Sequence, residues 1–240
     1  MPKKINTLTG VADAVKAEGC AIVIDVWRAF TVEAVLFSRG LQSCLLTDSR
    51  DQAVAWKARG LGIHTLGEVA GLSHEETGFD YGNSPREALT MEVAGQQVIH
   101  RTSSGTSAIC AAAPHVDSIY ACSFLNAAAT ARAVLAEQPA VVTLIASGSR
   151  GLERHDEDEL CAIYLRCLLE GTQPDREAVA TFCRAVSRYK TFAKLVEPGS
   201  LDHDGEIALR IDSCDFAIKV TEEEIAPGEK ALVARSNRAS

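Results

Sequence analysis

The sequence has no apolar run near the roughly 18 residues that a membrane-spanning helix needs, and it has no excess of positive charge. The charged first residues, Met1 to Asn6, are not followed by an apolar segment, so we expect no signal peptide. The formal net charge of −8 argues against general nucleic-acid binding but permits a local positive pocket for an anion. We therefore expect a cytoplasmic protein with neither a membrane nor a nucleic acid as partner.

Paired-cysteine motifs are also missing. None of the eight cysteines belongs to a C-x-x-C pair and most lie in apolar runs, which is typical of buried thiols rather than of a zinc site or a disulfide framework. The sequence lacks the G-x-x-x-x-G-K-[ST] motif, which argues against a P-loop nucleotide site. No repeat or clear linker divides the chain. We predict a single unit over residues 1–240 and leave open a division into two closely packed α/β subdomains.

The sequence does contain short apolar runs that alternate with helical patterns. The run from Cys20 to Val26 is almost continuously apolar, as expected for a strand buried on both faces of a parallel or mixed sheet. Further strands are predicted at 43–47, 63–66, 98–101, 118–122 and 140–146, with short ones at 216–220 and 231–234. Helices are predicted at 9–18, 32–38, 50–59, 85–92, 108–113, 126–137, 153–169 and 176–189 and after 201. This alternation predicts a layered α/β/α fold with a mixed or mostly parallel sheet.

Polar residues follow the predicted strands where each strand ends. Ligands of open α/β sheets bind beyond the carboxyl ends of the strands. Residues of this kind here are Asp25, Arg28, Glu68, 101–106, 123–126 and 147–151. Arginines beside hydroxyl-rich loops suit a phosphate or a sulfonate, and acids nearby suit a hard cation such as Mg²⁺.

The segment 102–106 (Thr-Ser-Ser-Gly-Thr) connects an apolar strand to an alanine-rich helix. Small residues let the backbone approach a ligand closely, and a helix start offers unpaired N–H groups with partial positive charge. We interpret the segment as an anion cradle, to which Arg101 adds a full charge. An ordinary helix N-cap is the alternative.

Acidic side chains form the second part of the predicted site. Asp25 ends an apolar strand, which costs free energy unless the carboxylate is paired or binds a metal, so it is either a metal ligand, a nucleophile or a partner of Arg28. Glu68 follows a glycine and is either a ligand or an exposed turn residue. Asp80 either binds a metal or fixes its loop. The run 156–159 complements a helix dipole, although some of its acids can face inward.

The histidines follow no ligand spacing. His64, His100 and His115 lie in or beside strands, where we expect imidazoles with satisfied hydrogen bonds in the core. His155, beside the second small-residue loop, is the one candidate for a general acid.

Several of these segments, in order, resemble motifs of one family. Residues 25–31 resemble D-V-L-R-A-x-T, residues 67–68 and 78–85 resemble G-E and G-F-D-x-G-N-S-P, and residues 102–106 resemble T-T-N-G-T. Residues 123–127 resemble x-x-x-N-A, and residues 148–162 resemble G-x-x-G…E-D…A-G. The family is the 2-phosphosulfolactate phosphatases. The sequence departs from these motifs at Trp27, where the family favours Leu, and at Ser103-Ser104, where it favours Thr-Asn.

The resemblance implies a Mg²⁺-dependent phosphatase that acts on small anionic 2-phospho-hydroxyacids, with phosphosulfolactate on the route to sulfolactate or coenzyme M. A homo-oligomer is left open. Under this hypothesis Asp25, Glu157 and Asp158 are catalytic, and Asp25 with Glu68 or Asp80 holds the metal. The expected substrate-binding residues are Arg28, Asn83, Arg101, Ser104, Gly105, Thr106, Asn126 and Arg150.

In the preferred mechanism the metal and the arginines bind the phosphate, and Glu157 or Asp158 orients water or supports the metal. An aspartyl-phosphate on Asp25 is the rival route, although Trp27 stands where the D-x-D pattern needs its second aspartate. The alternative function is a non-catalytic or differently specific protein that binds small anions.

Overall fold

The structure, a computed structural model, describes residues 1–70, 72–148, 154–185 and 201–238, and for 201–203 and 238 it describes the backbone alone. The strands are β1 (Lys4–Thr9), β2 (Cys20–Ile24), β3 (Ser43–Thr47), β4 (Thr65–Gly67), β5 (Gln97–Arg101), β6 (Ser118–Cys122), β7 (Val141–Ala146), β8 (Phe216–Ala226) and β9 (Glu229–Arg238). The helices are α1 (Ala29–Ser38), α2 (Arg50–Ala58), α3 (His74–Thr77), α4 (Pro85–Ala88), α5 (Gly105–Ala112), α6 (Ala127–Glu137), α7 (Asp156–Leu169), α8 (Arg176–Ala185) and α9 (Leu201–Ala208). Short 3-10 turns lie at Val11–Lys16, Ala113–His115 and Phe124–Asn126.

The described strands form one nine-stranded sheet in the order β1-β7-β2-β6-β8-β9-β3-β5-β4. One half, β1-β7-β2-β6, is parallel, and so is the other half, β3-β5-β4. The C-terminal hairpin β8–β9 lies between them and pairs antiparallel with β6 on one side and β3 on the other. The sheet is therefore mixed and mostly parallel, which confirms the predicted fold class.

Helices cover both faces of the sheet. Along β2, Ala21 and Val23 join a core that also contains residues of α1 and α5, whereas Cys20, Ile22 and Ile24 join a core formed with α6 and α7. All five residues of β2 are buried, because alternate side chains point to opposite covered faces. The carboxyl end of β2 consequently opens between two helical layers.

Three predictions for elements need correction. β1 was not predicted, since its residues are half-buried or exposed and give no continuous apolar run. The helix predicted from Pro85 ends at Ala88, and the residues after it turn back toward the sheet. The tail strands are much longer than predicted, because β8 and β9 pair with each other as well as with the sheet. The predicted helix at 176–189 is described only to Ala185, and its last residues lie outside the described ranges.

The cysteines agree with the sequence-based interpretation. All eight lie in described residues as free thiols, and six of them are buried. Among the described helices, none is long and apolar enough to cross a lipid bilayer.

Candidate active site

Asp25 lies directly beyond β2, where the chain turns into α1. Its Oδ1 accepts a hydrogen bond from the Ala29 N–H at 3.0 Å, so the carboxylate caps the first turn of α1. The side chain is almost fully buried at 5% exposure. Burial raises the pKa of Asp25 to about 6, while the Ala29 N–H and the charge of His100 oppose the rise. Asp25 is thus a buried carboxyl group held in place by the backbone of the next helix.

Asp158, in the first turn of α7, connects the ends of two neighbouring strands. Its Oδ1 accepts a hydrogen bond from the Val26 N–H at 2.8 Å, and its Oδ2 accepts one from the Gly148 N–H at 3.0 Å. Val26 follows β2 and Gly148 follows β7, so one carboxylate fixes both loops. The sequence left open whether acids of the 156–159 run complement the helix dipole or face inward, and Asp158 faces inward.

Three buried carboxyl groups meet at this edge of the sheet. Burial, together with the charges of Asp25 and Glu157, raises the pKa of Asp158 well above its ordinary value. Glu157 is fully buried, and its Oε1 lies 3.5 Å from Nδ1 of His155. Three acids in a low-dielectric environment repel one another, and this repulsion would be relieved by bound positive charge.

The loop before α5 packs directly on Asp25. A Cβ atom added to Gly105 would lie 2.8 Å from Oδ2 of Asp25 and 2.9 Å from Cβ of Ala29. The Gly105 N–H makes no hydrogen bond with the described residues and stands at the start of the helix, next to the acid. Glycine is therefore needed for the close approach, and its N–H is available to an anion.

Paired threonines shape the same loop. The Thr102 N–H donates to Oγ1 of Thr106 at 2.6 Å, and the Thr106 N–H donates to Oγ1 of Thr102 at 3.1 Å. Both side chains are buried. Thr106 therefore shapes the loop. Because its N–H already donates to Thr102, the Thr106 N–H is removed from the N–H groups expected to bind an anion.

Glu68 and Arg101 support the loop from the β4 side. The Ser103 N–H donates to Oε1 of Glu68 at 2.7 Å, while Nη1 of Arg101 donates to Oγ of Ser103 at 2.9 Å and to the Glu68 carbonyl. Glu68 also raises the pKa of Asp25 through its charge, which places it close to the acid cluster. Glu68 thus holds the loop through Ser103, and its place in the metal set stays a prediction.

Arg28 is held by a residue that the sequence did not suggest. Its Nη1 donates to Oδ2 of Asp204 at 3.0 Å, and Asp204 is only 4% exposed. Oδ1 of Asp204 accepts hydrogen bonds from Oγ of Ser84 and from the Arg86 N–H at the start of α4. Asp204 thus joins α9, the N-S-P segment and Arg28. Arg28 is not paired with Asp25, which was the alternative to a functional Asp25.

Two predicted site residues are used elsewhere. Asn126 is fully buried, and its side chain accepts from the Ser123 N–H and donates to the Ala121 carbonyl, so it is a helix cap. These contacts assign the Asn126 side chain to capping, and its expected contact with substrate stays a prediction. Asp80 accepts from the Thr65 N–H at 2.7 Å and pairs with Lys57 at 2.9 Å, which is the loop-fixing role that the sequence left open. Arg150, the remaining expected contact, lies outside the described residues, and Ser104 is the N-cap of α5.

Asn83 lies at the less buried end of a polar chain, since it is 8% exposed whereas Glu33 and His100 are fully buried. Its Oδ1 is 3.3 Å from Nε2 of His100, and Nδ1 of His100 is 2.9 Å from Oε1 of Glu33. His100 is a core imidazole with both ring nitrogens engaged, as predicted. Glu33 was overlooked, although a single acid in the apolar stretch of α1 was the available signal.

Comparison with known proteins identifies the family of this chain. A family model described as 2-phosphosulpholactate phosphatase matches residues 6–216. The chain is 33% identical over 171 residues to a probable 2-phosphosulfolactate phosphatase of Bacillus subtilis, covering 70% of each chain. It is 35% identical over 162 residues to one of Thermus thermophilus, which covers 66% of this chain and 67% of that one. A Thermoplasma volcanium protein with the same name is 25% identical over 90% of this chain and 97% of its own. The chain therefore belongs to the 2-phosphosulfolactate phosphatase family, a family of phosphoric monoester hydrolases.

Proposed function

We propose that this protein hydrolyses the phosphate ester of a small 2-phospho-hydroxyacid, with 2-phosphosulfolactate as the first candidate and Mg²⁺ as the cofactor. The observation that carries the proposal is the placement of three buried carboxyl groups, Asp25, Glu157 and Asp158, beside the Gly105 cradle. The names of the relatives supply the candidate substrate.

The acids fit a magnesium ion by their chemistry. Mg²⁺ prefers carboxylate oxygens as protein ligands, and the burial of Asp158 beside Asp25 and Glu157, which raise its pKa, favours a divalent cation. Asp25 would hold the ion through Oδ2, with Glu157 and Asp158 beside it, because Oδ1 already accepts from Ala29. Bound there, Mg²⁺ would supply positive charge to a phosphoryl oxygen of the substrate.

The chain's own residues would bind and orient the ester. The Gly105 N–H and the start of α5 would donate to the phosphate. Arg28, aimed by Asp204, would bind an anionic oxygen of the substrate through the guanidinium nitrogens that Asp204 does not use. His155, with Nδ1 near Glu157, would exchange protons with water or with the leaving hydroxyl group.

A phosphate-release screen tests the proposal. Purified protein would be incubated with 2-phosphosulfolactate, 2-phospholactate and 2-phosphoglycerate, with Mg²⁺ or with a chelator. We expect phosphate release that needs Mg²⁺, is fastest with one of these esters and is lost in Asp25→Asn. Asp13→Asn, which changes an exposed aspartate paired with Lys16, is the matched control.

Absence of phosphate release from every ester would refute the phosphatase proposal. Calorimetric binding of the same esters without release would instead support a small-anion-binding protein.

A further inference from the structure

A second polar cluster lies in the core outside the acid cluster. Glu33 of α1 and His100 of β5 are both fully buried, and the sulfur atom of Cys44 in β3 lies within 4.8 Å of their ligand atoms. Nδ1 of His100 is 2.9 Å from Oε1 of Glu33, and Nε2 is 3.3 Å from Oδ1 of Asn83. An acid and an imidazole are costly to bury, so their retention here needs an explanation.

The positions of the protons follow from these contacts. Because the amide oxygen of Asn83 has no hydrogen and can only accept, the 3.3 Å contact is a hydrogen bond when Nε2 of His100 carries the hydrogen. Nδ1 then either donates to an ionised Glu33 or accepts from a protonated one. In both cases the pair is neutral overall and the Nε2–H is retained, which suits a fully buried site.

This arrangement decides which end of Asn83 faces a ligand. With its oxygen held by His100, the Nδ2 amide group makes no hydrogen bond with the described residues and remains a donor. If Nε2 lacked its hydrogen, the amide would turn to donate to it, and Oδ1 would face the ligand. A carbonyl oxygen repels an anion, whereas an NH₂ group binds it.

We propose that Glu33, acting through His100, is a positioning residue that keeps the amide NH₂ of Asn83 directed at an anionic oxygen of the substrate. The inference rests on the proposed phosphatase function for its substrate and on the Glu33–His100–Asn83 geometry for its mechanism. Asn83 is followed by Ser84, which donates to the same Asp204 carboxylate as Arg28, so the chain of contacts leads to the proposed substrate-binding arginine.

Two substitutions of Glu33 separate positioning from structure. In Glu33→Gln the new amide donates to Nδ1, so His100 keeps its Nε2–H, and we expect KM within about 2-fold of wild type. In Glu33→Met the hydrogen bond to Nδ1 of His100 is lost, so nothing at position 33 keeps the hydrogen on Nε2. We expect KM to rise about 10-fold with kcat changed by less than about 3-fold. Asn83→Ala should raise KM to a similar extent, and the double variant Glu33→Met/Asn83→Ala should rise no further. Cys44→Ala, which touches the cluster but not Asn83, should leave KM unchanged.

A measurement on the resting protein is independent of turnover. Nitrogen-15 NMR of labelled histidine should show His100 protonated at Nε2 in wild type and in Glu33→Gln, even if none of the esters is hydrolysed. If the esters are not hydrolysed, calorimetric binding of inorganic phosphate replaces KM for the same variants. Failure of the phosphatase proposal would then leave this inference testable.

Three results would overturn the inference. The first is an unprotonated Nε2 in wild-type protein. The second is a KM for Glu33→Gln as high as that of Asn83→Ala, a comparison that remains available if Glu33→Met does not fold. The third is one transition-metal ion per chain that disappears in Cys44→Ala, since Glu33, Cys44 and Nδ1 of His100 would then bind a metal, and the metal rather than Glu33 would keep the hydrogen on Nε2.

Discussion

Asp25 shows how a single side chain can oppose folding while serving a site. Its pKa is raised by burial from an ordinary 3.8 to about 6, so above pH 6 the native state holds a carboxylate that water would solvate better. Between pH 6 and 4 the native state takes up a proton that the unfolded chain does not bind, and stability increases as the pH falls. Burying the ionised Asp25 carboxylate lowers the free energy of unfolding, and a bound cation would offset this loss.

We therefore predict that Asp25→Asn inactivates the enzyme and stabilises the metal-free protein. At pH 8 with chelator, its free energy of unfolding should exceed that of wild type by about 1–3 kcal/mol, and the difference should shrink as the pH falls through 6. Urea unfolding at several pH values measures this. Mg²⁺ should stabilise wild type more than the variant. A variant less stable than wild type at pH 8 would contradict the assigned burial cost.

At Gly105 we predict a loss of activity that follows from steric overlap rather than from charge. In Gly105→Ala the new Cβ would lie 2.8 Å from Oδ2 of Asp25, so either the helix start or the acid must move. We expect kcat/KM to fall about 100-fold or more, since displacements of about 1 Å can have that effect. Steady-state kinetics measures this.

Gly60→Ala is the control for Gly105→Ala. Its φ of +74° strains an alanine, but no atom lies within 4 Å of the added Cβ. It should cost about 1 kcal/mol of stability and leave kcat/KM unchanged. Equal activity in both variants would show that Gly105 is not needed for the close approach.

The residues that sequence could identify are those whose role follows from their place on a strand. Asp25 and Gly105 were predicted as site residues because they follow apolar runs, where α/β sites form. The role of Asn126 does not follow from its residue type, since asparagine serves both in helix caps and in substrate contacts. Asp204 and Glu33 were missed because their partners, Arg28 and His100, are distant in the chain.

Helix α9 contributes to the candidate site through the side chain of Asp204. One carboxylate accepts hydrogen bonds from Arg28, Ser84 and the Arg86 N–H. The element that follows the 186–200 segment is thus tied to the loop after β2 and to the start of α4. Substrate binding by Arg28 is expected to depend on this helix.

We predict that Asp204→Asn raises KM about 10-fold with a smaller effect on kcat. The amide oxygen can still accept from Ser84 and Arg86, whereas Arg28 loses the charged partner that aims it, and such charged hydrogen bonds contribute roughly 1.5–3 kcal/mol. Kinetics with the preferred ester measures this. Glu206→Gln, on the same helix, removes one charge from a surface pair with Arg184 and should change KM by less than about 2-fold. An unchanged KM in Asp204→Asn would show that substrate binding does not depend on Arg28 being held by Asp204.

Element predictions succeeded where burial was uniform. The bounds of β3 and β6 were predicted correctly. Each is a short run of five residues, and such a run is typical of a strand that is covered on both faces of the sheet. β8 extends six residues beyond the predicted Phe216–Val220, into a segment of three glutamates that pair across the hairpin with Leu232, Ala231 and Lys230. Pairing partners, rather than local composition, set the length of that strand.

At the scale of the molecule, the hairpin β8–β9 joins two parallel half-sheets into one. Ile119 of β6 pairs with Val220, and Cys44 of β3 pairs with Ala234. The sequence left open whether the chain forms one unit or two packed subdomains. A hairpin shared by both halves couples their stabilities.

Removing core volume from the hairpin should therefore destabilise the whole chain. Ile218→Ala deletes a fully buried side chain and should lower the free energy of unfolding by about 2–5 kcal/mol. We expect one transition, with far-UV and near-UV circular dichroism coinciding. Ile163→Ala, at a position 57% exposed on α7, should change stability by less than about 0.5 kcal/mol. Two separate transitions would show that the halves unfold independently.

The position of the hairpin also bears on how the protein is made. β8 and β9 are the last strands of the described chain to leave the ribosome, yet they occupy the centre of the sheet. Until they emerge, the edges of β6 and β3 have no partner, and unpaired strand edges are prone to association with other chains. We infer that the nascent chain depends on chaperones late in synthesis, and that ribosome-stalled chains ending before Phe216 will bind them while chains released after Arg238 will not.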